Sequence, residues 1–259
     1  DRSVSRGLGD VYKRQVQEVL DYAVDDDMYV ILNIHHDTDK EYCYPDKEHL
    51  EQSLSYMTFI WEQLADRFGD YDEHVIFESI NEPRLVETDH EWWLDMNAAE
   101  CVEAVECINE WNQNFVDVVR KTGGNNATRY LMVPGYDASA DGVLNDKFVL
   151  PTDTAENEGK ILVSVHAYIP YHFALQAATE NESIDQFNAS EKTSTNDIDQ
   201  MMEKLYAKYI SNEIPVVIGE FGARDKNGNL QSRVDYAAYY IAAARAYGMS
   251  CNWWDNNAF

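Results

Sequence analysis

From Val16 onward the chain alternates between helical and strand periods with little between them. "VQEVLDYAVDDD" carries apolar residues at helical spacing, and "MYVILNI" follows as a short, nearly continuous apolar run. Such a run suits a strand covered on both faces, as in a parallel sheet. The same pairing recurs down the chain. A helix is predicted over about residues 47–68 before the strand "HVIFESI", and another over 98–121 that stops at "TGGNN" before "RYLMVP". After a mostly irregular connection over 137–160 comes the strand "ILVSVHA", then a polar loop over 186–196 and a helix over 198–211. "PVVIGEF", a helix over 234–247 and "MSCNWW" complete the pattern.

Six strands alternating with helices predict an α/β fold with a parallel sheet. An open doubly wound sheet and a (β/α)8 barrel share that alternation, so the polar residues must separate them. Here polar or aromatic groups end nearly every strand, as "NIHHD", "INEPR", "VPGY", "VHAY", "GEFG" and "NWWDN". An open sheet concentrates its site at one switch point, whereas a barrel brings all strand ends to one mouth. The barrel is favoured, and no G-x-G-x-x-G loop supports a nucleotide-dependent alternative.

Charge narrows the partners. There are 20 basic and 47 acidic residues, a net charge of -27, and no basic stripe to neutralise phosphates, which argues against nucleic acid and anionic membrane as partners. No run reaches the roughly 18 apolar residues of a membrane span. The four cysteines lack C-x-x-C spacing, and no regular His/Cys pattern completes a metal site, so neither metal nor cofactor is expected. The start departs from the rest: residues 1–14 hold four of the 20 basic residues and show no clear period, so they are expected to be a non-native or disordered leader to a domain over 15–259.

Two carboxylates stand at the ends of otherwise apolar strands, Glu82 in "INEPR" and Glu220 in "GEFG". Either alone would pass as a solvated loop acid. Converging across a barrel mouth, the pair can serve as general acid and nucleophile on a glycosidic bond, provided one is held protonated and the other ionised.

"FESINEPR", "SVHAYIPYHFAL", "PVVIGEFG" and "NWWDNNAF" resemble, in order and spacing, the strand ends of glycoside hydrolase family 5, most closely its subfamily 4 endoglucanases. The resemblance implies a retaining endo-β-1,4-glucanase of (β/α)8 fold that acts on β-glucan polysaccharide without a cofactor. It implies Glu82 as acid/base and Glu220 as nucleophile. It also places Asn81 on the sugar 2-hydroxyl, His35 and His36 on the sugar of the cleaved subsite, His166 and Tyr168 around the nucleophile, and Trp254 as the aromatic floor. His166 and Tyr168, two apart on a strand, should project to the same side. Xyloglucan, mixed-linkage glucan, xylan and mannan are alternative substrates, and a noncatalytic carbohydrate-binding fragment is the alternative from another class. A polymeric substrate implies a secreted or extracellular enzyme.

Other groups receive weaker expectations. Glu78 shares strand parity with Glu82 but lies deeper, as a structural carboxyl. Trp92 and Trp93 suggest an outer sugar platform or simple packing, Tyr136 a cleft wall or likewise simple packing, Trp253 core or wall, and Arg84 a brace pairing with a carboxylate. Asp255 and Asn256 would add polar contacts near the floor. Against the family pattern, the first two strands and the last helix have no counterpart here, and nothing matches the family's second-strand arginine. An unclosed sheet leaves unpaired edges. Little activity is therefore expected of this polypeptide, in contrast to an intact parent.

Overall fold

A computed structural model of the chain describes residues 9–35 and 37–256. Among them are six strands and seven α-helices, distributed over two compact units that divide after Leu162.

The first unit contains α1 (Asp10–Asp25), β1 (Val30–Asn33), α2 (Leu50–Arg67), β2 (Val75–Glu78), α3 (Ala99–Lys121), β3 (Leu131–Pro134) and α4 (Ala140–Leu144). β1 and β2 pair in parallel from Val30 opposite Val75 to Asn33 opposite Glu78, and β2 pairs with β3 through Phe77 opposite Leu131 and Glu78 opposite Met132. Every residue of β2 and β3 is buried, which is why these strands lack the apolar–polar alternation of a one-sided sheet. On α3, Cys101, Ala104, Val105, Ile108, Trp111, Phe115 and Val119 form one buried stripe at helical spacing. Trp61 of α2 packs between Phe77 and Phe115, with ring centroids 5.4 Å and 4.6 Å away. Burying an indole and two phenyl rings together is the main apolar gain at this junction.

β4 (Ile161–His166) runs into the second unit, which continues with α5 (Tyr171–Ala174), α6 (Lys192–Lys208), β5 (Val216–Phe221), α7 (Leu230–Ala246) and β6 (Ser250–Trp253). β5 pairs in parallel with β4 on one side and β6 on the other. Phe173, Phe187, Phe221, Tyr236 and Tyr240 build its aromatic core, and Phe221 stacks on Tyr240 with centroids 4.3 Å apart.

All six predicted strands are present, within one or two residues of their predicted ends. Three further places differ, beside α7, which begins at Leu230 and not near residue 234. The predicted leader boundary after residue 14 falls inside α1, whose first turn is closed by Lys13 N donating to Gly9 O; Val11 and Tyr12 there are exposed, so no apolar stripe marked the turn. Residues 1–8 of that segment lie outside the described residues. The polar stretch predicted as loop over 186–196 turns helical at Lys192, because Thr195 and Ile198 face inward while Lys192 pairs with Asp199 at 2.9 Å on the outer face. The connection over 137–160 contains α4, capped by the Ser139 hydroxyl accepting from Gly142 N at 3.0 Å.

Candidate active site

In the first unit the site begins below the carboxylate. Glu78 is buried, and its Oε2 accepts a 2.8 Å hydrogen bond from Nδ2 of its ladder partner Asn33, the structural role expected of it. One residue on, the Ser79 carbonyl accepts from Trp61 Nε1 at 2.9 Å, and the Ser79 hydroxyl donates at 2.6 Å to Asn112 Oδ1. Asn112 passes the connection to the Pro134 carbonyl at 2.8 Å. This run of buried polar contacts ties α2, β2, α3 and β3 together directly beneath the strand end.

Beyond β2 the backbone stays anchored, with Asn81 N donating to Ile34 O at 2.8 Å and Asp137 N to Pro83 O at 2.7 Å. Asn81 is 4% exposed, and its Oδ1 has no hydrogen-bond partner among the described residues. A buried amide oxygen in that condition can accept a further hydrogen bond. Glu82 follows, its side chain 18% exposed. His35 sits partly buried just past β1, and Asp37 after it is held by the Tyr56 hydroxyl of α2 at 2.6 Å. Burial, and then this bond to Asp37, push the Tyr56 phenol well up. His36 lies outside the described residues.

The loop after Glu82 is a compact knot around two residues. Tyr136 is fully buried: its hydroxyl accepts from Leu85 N at 3.0 Å and donates to His90 O at 2.6 Å. It is therefore a pin through both sides of the loop after Glu82, the packed alternative of the two the sequence left open. Burial pushes its phenol well above the usual value, as its role as a neutral donor requires. Arg84 is the second centre, donating through Nη1 to the Glu82 carbonyl at 2.9 Å and lying 3.4 Å through Nε from Glu91 Oε1. Its guanidinium sits 3.9 Å from the Trp92 ring centroid. The expected brace is present, with the stacking added. Trp92 and Trp93 are both largely exposed.

The second unit supplies the other carboxylate. His166 and Glu220 are opposite one another where the β4–β5 ladder shifts register. Glu220 is 9% exposed; its Oε2 accepts from the Tyr168 hydroxyl at 2.5 Å, and its Oε1 lies 3.6 Å from His166 Nδ1. The predicted same-side projection of His166 and Tyr168 is thus realised on a single carboxylate. The sequence reading missed Gly219: a Cβ there would stand 2.9 Å from His166 Nε2, so the space for the imidazole is made by a hydrogen. Trp253 packs edge-on against Phe221 at 5.3 Å, while Trp254 is partly buried and its backbone N donates to Phe221 O at 2.8 Å. Asp255 and Asn256 are exposed.

Elsewhere in the first unit, Asp46, Glu48 and His49 bring donor atoms within 4.8 Å of one another at the start of α2. Asp46 Oδ1 already accepts from the His49 backbone N at 2.7 Å, which closes the turn ahead of α2.

Residues 3–259 match the family model for Cellulase (glycosyl hydrolase family 5). Endoglucanase B of Neocallimastix patriciarum is 41% identical over 253 residues, 97% of this chain and 49% of that protein. Endoglucanase B of Ruminococcus albus is 40% identical over 244 residues, 94% of this chain and 54% of that protein. The chain thus spans about half the length of these relatives. Among solved structures, a family 5 lichenase from Caldicellulosiruptor sp. F32, in complex with cellotetraose, is 56% identical with a TM-score of 0.95 over 96% of this chain and 67% of that one. A broad specificity endoglucanase from Ruminococcus champanellensis with bound cellotriose is 42% identical, with a TM-score of 0.84 over 96% of this chain and 67% of that one.

Proposed function

Because the chain belongs to glycosyl hydrolase family 5, its fold an incomplete (β/α)8 barrel, we propose that it carries the reacting groups of a retaining endo-β-1,4-glucanase. In this reading a Glu220 oxygen attacks the anomeric carbon while the bond to the leaving sugar oxygen breaks and Glu82 gives that oxygen its proton. A glycosyl ester on Glu220 results. Glu82, now ionised, takes a proton from water, whose oxygen displaces the Glu220 carboxylate from the anomeric carbon, with net retention. Such a cycle requires the two carboxyls about 5–5.5 Å apart.

The observation that carries the reading is the seating of Glu220. A buried carboxylate with a phenol on one oxygen and an imidazole near the other is oriented for attack, and the phenol can follow the charge as it leaves the oxygen. The buried Asn81 amide beside Glu82 supports it, offering an acceptor to a sugar hydroxyl. Trp254 is proposed as the stacking floor, with His35 and His36 contacting the same sugar. No cofactor enters the scheme. Secretion is proposed with it, since a polymer cannot reach an enzyme inside the cell.

A second substrate reading is mixed-linkage β-glucan, favoured by the 56% identity to a lichenase. Reducing-sugar release from carboxymethylcellulose, mixed-linkage glucan, xyloglucan, xylan and mannan tests both, using the chain extended to the length of its relatives. Hydrolysis of β-1,4-linked glucans, abolished by Glu220→Gln and by Glu82→Gln, is expected. Binding of glucan without cleavage of any of these polymers would replace the enzyme reading with a carbohydrate-binding one.

A further inference from the structure

Resting on the assignment of Glu82 as acid/base, we propose that Arg84 is a positioning residue that sets the ionisation of Glu82, acting as a clamped positive charge and not as a ligand of the carboxylate. Its Nη1 hydrogen bonds to the backbone carbonyl of Glu82 at 2.9 Å, while Oε2 of the same residue lies 3.9 Å from that nitrogen. The second distance is beyond hydrogen-bond reach but well inside the range of a direct charge interaction. A bidentate arginine would lock the carboxylate in its ionised form and hinder it as an acid. At this spacing Arg84 itself takes no hydrogen bond to the carboxyl oxygens.

Three holds keep the guanidinium where it is. Nη1 is engaged by the carbonyl, Nε faces Glu91 Oε1 at 3.4 Å, and Trp92 covers one face at 3.9 Å. Glu91 is itself fixed, its Oε2 accepting from Glu87 N at 3.0 Å. Only a planar fork can bond to two acceptors in its plane while stacking through its face, so lysine cannot reproduce the arrangement. With the Arg84 side chain 17% exposed, the indole also keeps water from one side of the charge and so limits its screening.

Other titratable groups approach from the neighbouring elements. Glu78 lies deeper on the same strand and is bonded to Asn33. His35 follows β1, whose Ile34 carbonyl takes the Asn81 amide, and Asp137 follows β3 and bonds through its N to Pro83 O. In the proposed reaction Glu220, with His166 and Tyr168 on it, shares the substrate. Arg84 is the cation in this group whose position is fixed by the acid's own backbone.

An opposite charge favours the ionised carboxylate, so removing it should raise the pH at which Glu82 loses its proton. In the free enzyme that proton loss is the basic limb of kcat/KM, which can be followed on cello-oligosaccharides with the chain extended to the length of its relatives. Arg84→Met is expected to move the basic limb up by about one pH unit. Arg84→Lys should keep the limb near the parent's position while kcat falls, and Glu91→Gln, which removes a counter-charge from Arg84, should move it down. A basic limb of Arg84→Met that coincides with the parent's, or that Arg84→Lys shifts as far, overturns the proposal. Should Arg84→Met fail to fold, a limb unmoved by Glu91→Gln overturns it instead. Retention of full turnover by Glu82→Gln would mark a different failure, that of the acid/base assignment itself.

Discussion

Tyr168 Oη donates to Glu220 Oε2 at 2.5 Å, joining residues 52 apart in sequence. A phenol bonded to an ionised carboxylate both aims it and lowers its tendency to take a proton. Tyr168→Phe removes only that oxygen. A hydrogen bond to a charged group contributes about 1.5–3 kcal/mol, so kcat should fall by roughly 10- to 100-fold, and the acidic limb of the pH profile should move up. Steady-state kinetics across pH would check this, and an unchanged profile would mean that the hydroxyl does not govern Glu220.

Gly219→Ala should damage the same carboxylate from behind. The added methyl would lie 2.9 Å from His166 Nε2 and 3.1 Å from its Cδ2, so the ring must move. Overpacking of this kind costs about 1–3 kcal/mol of stability. Turnover is expected to drop more than stability suggests, because the imidazole is displaced from Glu220. Thermal unfolding beside kcat separates the two effects.

Arg129→Met is a stability prediction, remote from the chemistry. Arg129 is 3% exposed and donates to the carbonyls of Phe68, Gly69, Tyr71, Asp72 and Val75, all on the segment leading into β2, with its guanidinium 4.6 Å from the Phe77 ring centroid. Burial pulls its proton affinity down to about 10, still far above neutrality, so the charge persists. Removing it strands several acceptors together. A loss of about 3–5 kcal/mol is expected in urea unfolding, and Arg129→Lys should recover little of it.

Acid should loosen a second anchor. Asp153 is nearly buried, which by itself pushes its carboxyl up, yet the Arg120 Nε at 2.9 Å, Asn157 Nδ2 at 3.1 Å and the Thr154 amide at 2.8 Å hold it below the usual carboxylate range. Its folded value lies under an unfolded value of about 3.9. The stability it contributes is therefore complete above about pH 4 and is lost as pH falls through the folded value. Urea midpoints of the parent and Asp153→Asn should differ at neutral pH and converge in acid. A constant gap would rule out the linkage.

The strand ends were legible because burial and chemistry write different residues: an apolar run stopping at Asn81 and Glu82 marks both a strand and a candidate site. The two-residue spacing of His166 and Tyr168 foretold their shared side, since side-chain direction in a strand has a period of two. Tyr136 stayed undecided between cleft and packing because a tyrosine at a strand end looks the same whether its hydroxyl faces a cleft or, as here, crosses a loop to Leu85 and His90. Gly219 was invisible for a related reason, since nothing local says that a ring from the next strand needs its space. The helical start at Lys192 was missed because its first turn is mostly polar, and only the buried Thr195 ties it inward.

The buried run from Trp61 through Ser79 and Asn112 to Pro134 has a consequence for how an enzyme of the proposed kind can diversify. It fixes the strand leading to Glu82 by contacts made before the strand end, and Tyr136 closes the loop by grasping backbone, not side chains. The exposed side chains of Asp89 and Trp93 take no part in those contacts. Substituting them can change what approaches Glu82 while its carboxylate keeps its address, so under the proposed function new substrate preferences need not begin with the loss of the old chemistry.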